Sequence, residues 1–319
     1  MTNDVTNGAE MRQTTAPVAS SWNKTRLCIA SGQFEGIERM FVRMSGAALR
    51  GLLVALLIAT PALLLPQVAN DQSQIVVLVS LLAAFLTFVE YNSNAPSIVE
   101  FRDAAPFNRM RFIALFLTVL LLTTIAKGQI EPSPVTNALT GLGTVVGKAI
   151  DFPYSPVRLV ILMLPYNATA ETVDAVRIAA GVAYLISLVT LVAFVLLVRV
   201  WGWPVRNTSF NVWVNLPLFD PTAGGDVLYR LRRDARFNIA LGFLLPFVIP
   251  AAVKATSSLI DPITLENPQT LIWTITAWAF LPASMIMRGL AMNRVASLIE
   301  AKRRRAYAMA EREAEMQTA

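Results

Sequence analysis

One uninterrupted apolar segment constrains this chain more than any other feature of its sequence. Residues Ile178–Val198 contain no charged residue and no proline, and consist mostly of Ala, Val, Leu, Ile and Phe. As a helix this segment is roughly 31 Å long, which matches the thickness of the hydrocarbon core of a bilayer. Arg177 precedes it and Arg199, Trp201 and Trp203 follow it, as anchors at a membrane interface do. The segment is therefore predicted to be a transmembrane helix.

The composition requires lipid as the solvent for much of the chain. Of the 319 residues, 55% are hydrophobic and 15% are charged, whereas about 25% of the residues of an average globular chain are charged. A water-soluble fold of this length has too little interior to bury so many apolar side chains. We therefore expect an all-α, polytopic integral membrane protein.

The residue types that the sequence lacks exclude several kinds of chemistry. There is no histidine, which is the commonest general base and a common ligand of transition metals and haem. There is one cysteine, Cys28, so a disulfide within the chain, a CxxC motif or a thiolate cluster is impossible. We therefore expect no metal and no cofactor.

Five further apolar segments bring the number of predicted transmembrane helices to six. A cytoplasmic N-terminal tail (1–45) ends in a basic segment that reads either as an amphipathic surface helix or as an irregular lead-in. The transmembrane domain (46–290) follows, and a basic helical extension (291–319) ends the chain. The spans are predicted near residues 47–65, 74–91, 112–126, 178–198, 237–253 and 270–287.

Residues 127–174, between the third and fourth spans, have three interpretations. The apolar stretch Val157–Leu164 is too short to cross a bilayer. The first interpretation is an amphipathic helix and a short helix at the outer surface, the second a re-entrant pair of half-helices, and the third two further spans. Re-entrant backbone is tolerated only where it lines a cavity or is buried in protein, so the second favours a channel or transporter. Apolar residues recur at helical spacing at Val135, Leu139, Leu142, Val146 and Ile150.

The distribution of basic residues predicts the orientation of the chain. With six spans and both termini in the cytoplasm, the cytoplasmic segments hold 22 of the 27 lysine and arginine residues. Cytoplasmic loops of membrane proteins are enriched in these residues. We therefore expect a multi-pass protein of a bacterial inner membrane with both termini inside.

No catalytic or nucleotide-binding motif is present. The sequence lacks the GxGxxG, Walker, HExxH and GxSxG patterns, and no stretch of it resembles a known family. Asp220, Asp226 and Asp234 share a predicted loop with several arginines, which raises the hypothesis of a metal-dependent membrane transferase. Interleaved charges of this kind more often pair with each other at a solvated surface. The catalytic residues, if there are any, stay unknown from the sequence.

Small residues recur at intervals of four in two predicted spans and indicate close helix packing. Small side chains let helix backbones approach each other, which drives association where lipid is as apolar as the side chains. We expect both rows to face other helices. The rows are Ala47, Gly51, Ala55 and Ala59 in the first span and Ala179, Ala183 and Ser187 in the fourth.

Four adjacent cations follow the last span, namely Lys302, Arg303, Arg304 and Arg305. A cation at such a position is attracted to anionic lipid headgroups by about 1 kcal/mol. The same residues also fix the orientation of the last span. Lipid headgroup binding and a purely topogenic role are both consistent with this cluster.

These observations favour a function without catalysis. The leading interpretation is an accessory, scaffold or assembly protein that binds partners in or under the membrane. Its expected partners are membrane lipids, including anionic headgroups, and other membrane proteins, with no nucleic acid. A channel or transporter for a small solute, built around residues 127–174, is the alternative, and a membrane-bound transferase is third.

The predicted orientation is tested by labelling single cysteines in intact cells with a membrane-impermeant thiol reagent. The native Cys28 is expected to stay unlabelled, because it lies on the cytoplasmic side. After Cys28 is replaced, a cysteine at the position of Asp71 or Asp261 is expected to react from outside, and one at the position of Asp226 is not. All three are expected to react in permeabilised cells. Labelling at position 226 in sealed cells would contradict the orientation.

Overall fold

Helices form all of the regular structure in the described part of the chain. The computed structural model describes residues 19–66, 70–94, 97–204, 215–220, 224–256 and 265–318, with the side chains of 19–39, 70–73 and 318 left out. Within these ranges there are eight helices and no strand. The residues at positions 1–18 and 261, and the side chains of Cys28 and Asp71, lie outside the described set.

Three long helices come first, two short helices follow in the middle of the chain, and three more long helices complete it. In order they are α1 (Ala19–Leu64), α2 (Asn70–Asn92), α3 (Phe107–Ile130), α4 (Pro134–Ile150), α5 (Pro156–Met163), α6 (Ala170–Arg199), α7 (Val227–Thr256) and α8 (Pro268–Thr318).

Six of these helices are long and apolar enough to cross a membrane: α1, α2, α3, α6, α7 and α8. The prediction of an all-helical chain with six such helices is confirmed for the described residues. A helix satisfies its backbone N–H and C=O groups internally, which is a requirement in lipid because no water is present to bond them. The arrangement fits a multi-pass membrane protein.

The chain divides into two compact units, Met1–Gly46 and Ala47–Ala319. In the first unit the described residues form the first part of α1, and the hydroxyl of Ser45 donates to the carbonyl of Val42 at 3.1 Å. The second unit contains the other seven helices. Its buried apolar side chains form two clusters, one around Val119, Ala180 and Ile275 and one around Phe107, Leu231 and Met292.

All six long helices begin before the corresponding predicted spans, and α3 and α7 change the interpretation of charged residues. α3 begins at Phe107 and not at 112, and α7 begins at Val227 and not at 237. Their first turns carry charged residues, which lower the hydropathy without interrupting the helix. Arg111 therefore lies on α3, and Arg230, Arg232, Arg233 and Arg236 lie on α7. The corresponding predicted loops are shorter than the sequence indicated.

Local capping explains the two short helices. The side chain of Ser133 accepts a hydrogen bond from the backbone N–H of Thr136 at 3.2 Å, and the Thr136 hydroxyl accepts one from the N–H of Ser133 at 2.8 Å. This reciprocal cap is followed by Pro134, whose ring favours the first helical position. α5 begins in the same way, with Ser155 as its cap before a proline.

Glycines let α4 pack closely against α6. A Cβ added at Gly147 would lie 2.9 Å from the carbonyl oxygen of Arg177, and one added at Gly181 would lie 2.6 Å from the Cα of Gly147. A Cβ at Gly143 would lie 2.8 Å from the side chain of Ile178. These contacts fall in the first half of α6, the helix that contains the apolar segment Ile178–Val198. α4 therefore packs against the N-terminal end of this helix.

Glycines also bring α7 and α8 together. A Cβ at Gly242 would lie 2.6 Å from the carbonyl oxygen of Pro282, and a Cβ at Gly289 would lie 2.6 Å from the carbonyl oxygen of Ala235. The two helices therefore approach each other at backbone distance on both sides of their crossing.

A proline in α7 provides a specific link to α8. Pro250 has no N–H, so the carbonyl of Pro246 lacks its usual helical donor. The indole N–H of Trp278 on α8 donates to this carbonyl at 3.1 Å. An unbonded carbonyl would be costly in an apolar environment, so this hydrogen bond stabilises both the interrupted helix and the pairing of the two helices.

The two predicted rows of small residues lie partly or wholly inside the bundle. An added Cβ at Gly51 would lie 2.7 Å from the carbonyl oxygen of Ala84 on α2. The contribution of either row to helix association stays a prediction. In the first row two members are buried and two are half-buried, in the order Ala47, Gly51, Ala55 and Ala59. All members of the second row are buried: Ala179, Ala183 and Ser187.

The packing of α4 on α6 predicts opposite effects of alanine at two glycines of α4. Gly147→Ala is expected to destabilise the protein by about 1–3 kcal/mol, because the new methyl group meets the backbone of Arg177. Gly141→Ala is the matched control, since its Cβ meets no atom within 4 Å and alanine favours a helix by roughly 0.8–1 kcal/mol over glycine. The measurement is thermal unfolding in one detergent. Equal melting temperatures for the two variants would contradict the close approach.

Candidate functional site in a charged cluster at one end of the bundle

An aromatic cluster organises the end of the bundle where α3 begins and α6 ends. The rings of Phe107 and Trp203 stack with centroids 6.0 Å apart, and Phe101 lies 4.6 Å from Phe107. The indole N–H of Trp203 donates to the carbonyl of Ala105 at 2.9 Å. These contacts hold the connection after α2 against the connection after α6, and they place the charged residues described next.

Glu90, at the end of α2, organises the connection to α3. Its buried carboxylate accepts hydrogen bonds from the backbone N–H groups of Ser97, Ile98 and Val99 at 2.6, 2.7 and 2.9 Å. The guanidinium of Arg102 donates to the Glu90 carbonyl at 2.9 Å, which satisfies a carbonyl that the end of α2 leaves unbonded. The carboxylate is fully engaged in holding this connection in place.

Glu100 and Arg288 form a bidentate ion pair across the bundle. Arg288 on α8 donates from Nη2 to Oε1 of Glu100 at 2.7 Å and from Nε to Oε2. Its Nη1 donates to Oδ1 of Asn238 on α7 at 3.0 Å, and the amide of Asn238 donates to the Asp234 carbonyl at 2.7 Å. The Glu100 side chain is 7% exposed. One carboxylate therefore joins the α2–α3 connection to α7 and α8.

Arg111 lies beside this pair but is not bonded to it. Its guanidinium carbon lies 5.4 Å from the ring centroid of Phe107 and 6.0 Å from that of Phe280. Its Nη1 donates to Oδ1 of Asn108 at 3.4 Å, and its buried Nε has no acceptor among the described residues.

Asn215 joins a third segment to the cluster. Its carbonyl accepts a hydrogen bond from the backbone N–H of Phe101 at 2.7 Å, and its Oδ1 accepts one from the N–H of Asp103 at 3.2 Å. The short described segment 215–220 is thereby held against the α2–α3 connection. The cluster thus collects residues from α2, α3, α7 and α8, from the α2–α3 connection and from the chain between α6 and α7.

The three aspartates of the transferase hypothesis do not form one site. Asp226 pairs with Arg303 at 2.9 Å, and Asp234 pairs with Arg233 at 3.1 Å. The backbone carbonyl of Asp220 accepts a hydrogen bond from Arg230. Among the described residues there is no group of three or more His, Cys, Asp and Glu side chains that could hold a metal ion.

The cation cluster on α8 is divided between ion pairs and open surface. Arg303 donates to Asp226, and this hydrogen bond is the main cause that lowers the pKa of the exposed Asp226 carboxyl. Arg304 donates to Glu300 at 2.6 Å. Lys302 and Arg305 are exposed. Binding of lipid headgroups by these four residues stays a prediction.

The opposite end of the bundle carries a second polar assembly. Asp151, after α4, pairs with Arg158 at 2.8 Å and with Arg177 at 2.9 Å. A cavity of about 360 Å³ lies between α3, α6 and α8 and is lined by both apolar and polar residues. Glu171 and Glu266 are exposed at the rim.

Sequence reasoning missed the residues at the centre of the charged cluster. Glu100 and Arg288 are 188 positions apart, so no spacing rule connects them. Hydropathy alone predicts a loop at Arg111, because the apolar run of the third span begins at Phe112. The available signal is the arginine itself, directly before the apolar run that begins at Phe112, because an ionisable residue next to a transmembrane segment is a candidate for a functional role.

Comparisons of the chain with protein-family models, with curated proteins and with solved structures found no match.

The Glu100–Arg288 pair predicts a large loss of stability when one partner is removed. Glu100→Gln is expected to destabilise the protein by about 3 kcal/mol, because it leaves the guanidinium of Arg288 without its carboxylate. Asp103→Asn is the control. Its side chain is 57% exposed and pairs with Arg102 at 3.3 Å, and an exposed pair contributes about 1 kcal/mol or less. Thermal unfolding in detergent measures both variants. Equal losses of stability would contradict the larger contribution predicted for the buried pair.

Proposed function

We propose that this chain is a multi-pass protein of a bacterial inner membrane, with both termini in the cytoplasm, that binds another membrane protein as an accessory, scaffold or assembly factor. The orientation is supported by the 22 basic residues on the side of the termini. The partner-binding role is supported by one observation above others, the exposure of α2.

α2 makes less contact with the rest of its own chain than any other helix of membrane-spanning length. Of its most apolar stretch 11% is buried, against 39% in α3 and 56% in α8. The successive residues Val77, Leu78 and Val79 are all exposed. Because neighbouring residues of a helix point about 100° apart, these side chains cover more than one face. α2 therefore offers an apolar surface on several sides.

Contacts with α1 and with the connection that follows α2 hold this helix in position and leave the apolar surface open. Gly51 of α1 faces the Ala84 backbone, and the Glu90 carboxylate binds the connection that follows α2. The apolar side chains in between suit a partner helix that packs by shape, as helices in lipid do. We infer that the partner is an apolar helix of another membrane protein.

The buried charges support binding in preference to catalysis. Glu90 is engaged by three backbone N–H groups, and Glu100 by both edges of Arg288. Catalytic acids and bases need access to a reacting group. These two carboxylates instead fix the positions of the helices and of the connection between α2 and α3. A rigid structure of this kind is consistent with a scaffold.

Photocrosslinking in native membranes tests the proposal. A photoreactive residue replaces Leu82 on α2, which is 55% exposed, and in a control chain it replaces Val192 on α6, which is 60% exposed. We expect position 82 to capture one protein in near-stoichiometric yield, and position 192 to react with lipid. Mass spectrometry identifies the product. Capture of lipid alone from both positions would contradict the proposal.

Anionic lipids are proposed as a second kind of partner, at the exposed residues Lys302 and Arg305. These two cations have the position along α8 that attraction to a charged membrane surface requires. Arg303 and Arg304 contribute less in this role, because each already pairs with a carboxylate.

A small-solute carrier is the second candidate function, and the cavity of about 360 Å³ favours it. This volume falls in the range of pockets that bind small ligands, roughly 300–1,000 Å³. Part of its wall comes from residues 127–174, the segment on which the sequence-based hypothesis of a carrier was built. Solute flux into vesicles that contain the purified protein, compared with Glu171→Gln, tests this candidate. The wall residues from that segment are Gln129, Thr169, Glu171 and Thr172.

A further inference from the structure

A pocket of about 440 Å³ lies between α7 and α8, where both helices carry charged residues. Tyr229, Arg232 and Arg236 line it from α7, and Asn293 lines it from α8. The three residues of α7 follow one another at intervals of three and four, so their side chains lie on one face of the helix. The volume falls in the range of pockets that bind small ligands, roughly 300–1,000 Å³.

Close packing and an ion pair hold the two walls of this pocket in position. A Cβ added at Gly289 of α8 would lie 2.6 Å from the carbonyl oxygen of Ala235 of α7. Further along α8, the carboxylate of Glu300 accepts a hydrogen bond from Nη2 of Arg232. Asn293 lies between Gly289 and Glu300 in the chain, on the segment of α8 that both contacts fix. The walls of the pocket are therefore in place without a ligand.

Three of the side chains in the wall have donors that the chain does not use. Within the described residues, the guanidinium of Arg236, the amide of Asn293 and the hydroxyl of Tyr229 donate to no acceptor. All three residues are exposed, so water bonds to them in the free protein. A ligand with several acceptor oxygens would replace this water and bond to both helices at once.

The ion pairs around the pocket leave an excess of positive charge. Asp226, which is part of the wall, is bound by Arg303, and Glu300 is shared between two arginines. Arg236 adds a cation that has no carboxylate partner within the described residues. The pocket therefore favours an anion. The cations of this group are Arg232, Arg236, Arg303 and Arg304, and its carboxylates are Asp226 and Glu300.

We propose that this pocket binds a phosphate group, held by Arg232 and Arg236 and by the donors of Asn293 and Tyr229. A guanidinium matches a phosphate with two parallel hydrogen bonds. Two arginines one turn apart on a helix lie close enough to bind the same group. A carboxylate has only two oxygens, whereas a phosphate has enough of them for donors from both helices.

The surface of α7 beside the pocket favours a phospholipid as the source of the phosphate. Arg236 directly precedes the apolar run that begins at Phe237. Ala240 and Phe243, one and two turns beyond Arg236 on the same face, are exposed and offer contacts for an acyl chain. Phosphatidylglycerol suits the excess of positive charge, whereas phosphatidylcholine adds a cation of its own. The site depends neither on the protein partner proposed for α2 nor on the cations at 302 and 305.

Native mass spectrometry of the purified full-length protein in mild detergent, titrated with phosphatidylglycerol, tests the site. Arg236→Gln is expected to weaken binding roughly tenfold, because it removes hydrogen bonds between charged groups. Arg233→Gln is the matched control on the same helix. The Arg233 side chain is 62% exposed and pairs with Asp234 at 3.1 Å, outside the pocket, so the affinity is expected to change less than about twofold. Equal losses from both variants would show an effect of net charge and would overturn the proposal.

A variant with unchanged charge and two other ligands complete the test. Asn293→Leu removes the amide at similar size and is expected to weaken binding of phosphatidylglycerol about fivefold; unchanged affinity would overturn the pocket. Phosphatidylcholine is expected to bind more weakly, and equal affinity would overturn the preference for an anion. Inorganic phosphate distinguishes the sources. If it displaces the lipid at equal concentration, the pocket binds free phosphate, and if it does not, the lipid is the ligand. Failure of both to bind the unaltered protein would overturn the phosphate site.

Discussion

The ion pair between Glu100 and Arg288 is the interaction on which one whole end of this structure depends. In water such a pair would contribute little, but away from water both groups must be bonded. Glu100 lies in a connection and Arg288 in the longest helix, so their pairing determines where the connection lies. Asn238 extends the same hydrogen-bond network to α7. Arg111 lies beside the pair, with its guanidinium near the rings of Phe107 and Phe280.

The same requirement, that every polar group find a partner, explains the packing between helices. Pro250 leaves the carbonyl of Pro246 without a donor, and Trp278 of the neighbouring helix supplies one. Glycine also contributes to this packing, because α7 and α8 approach each other closely where Gly242 and Gly289 have no side chain. The prolines of α7 therefore act in packing, as do the glycines opposite them. α2 takes no part in this network along most of its length, which is why its surface is open to a partner.

Much of the fold was predictable and much of the candidate site was not. The run Ile178–Val198 predicted α6 because a long apolar segment has few alternatives to a helix in lipid. The predicted third span begins at 112, whereas α3 begins at Phe107. The charge of Arg111 lowers the local hydropathy, so hydropathy alone does not extend the span to this residue. The closeness of Asp220, Asp226 and Asp234 in the sequence suggested the hypothesis of a metal-dependent transferase. In the structure two of them pair with different arginines, Asp226 with Arg303 and Asp234 with Arg233. Among the described residues, closeness along the chain therefore did not bring the three carboxylates together in one candidate metal site.

The sequence by itself determined the class of this protein: an all-helical chain with six apolar helices and an uneven distribution of charge. These properties follow from composition and local periodicity, which act over one helix at a time. Only the tertiary structure decided which charges meet. The pairing of Glu100 with Arg288, the position of Arg111 between two rings and the exposure of α2 all depend on contacts between distant segments. No local rule encodes such contacts, because they arise when the helices pack and polar groups must be satisfied without water.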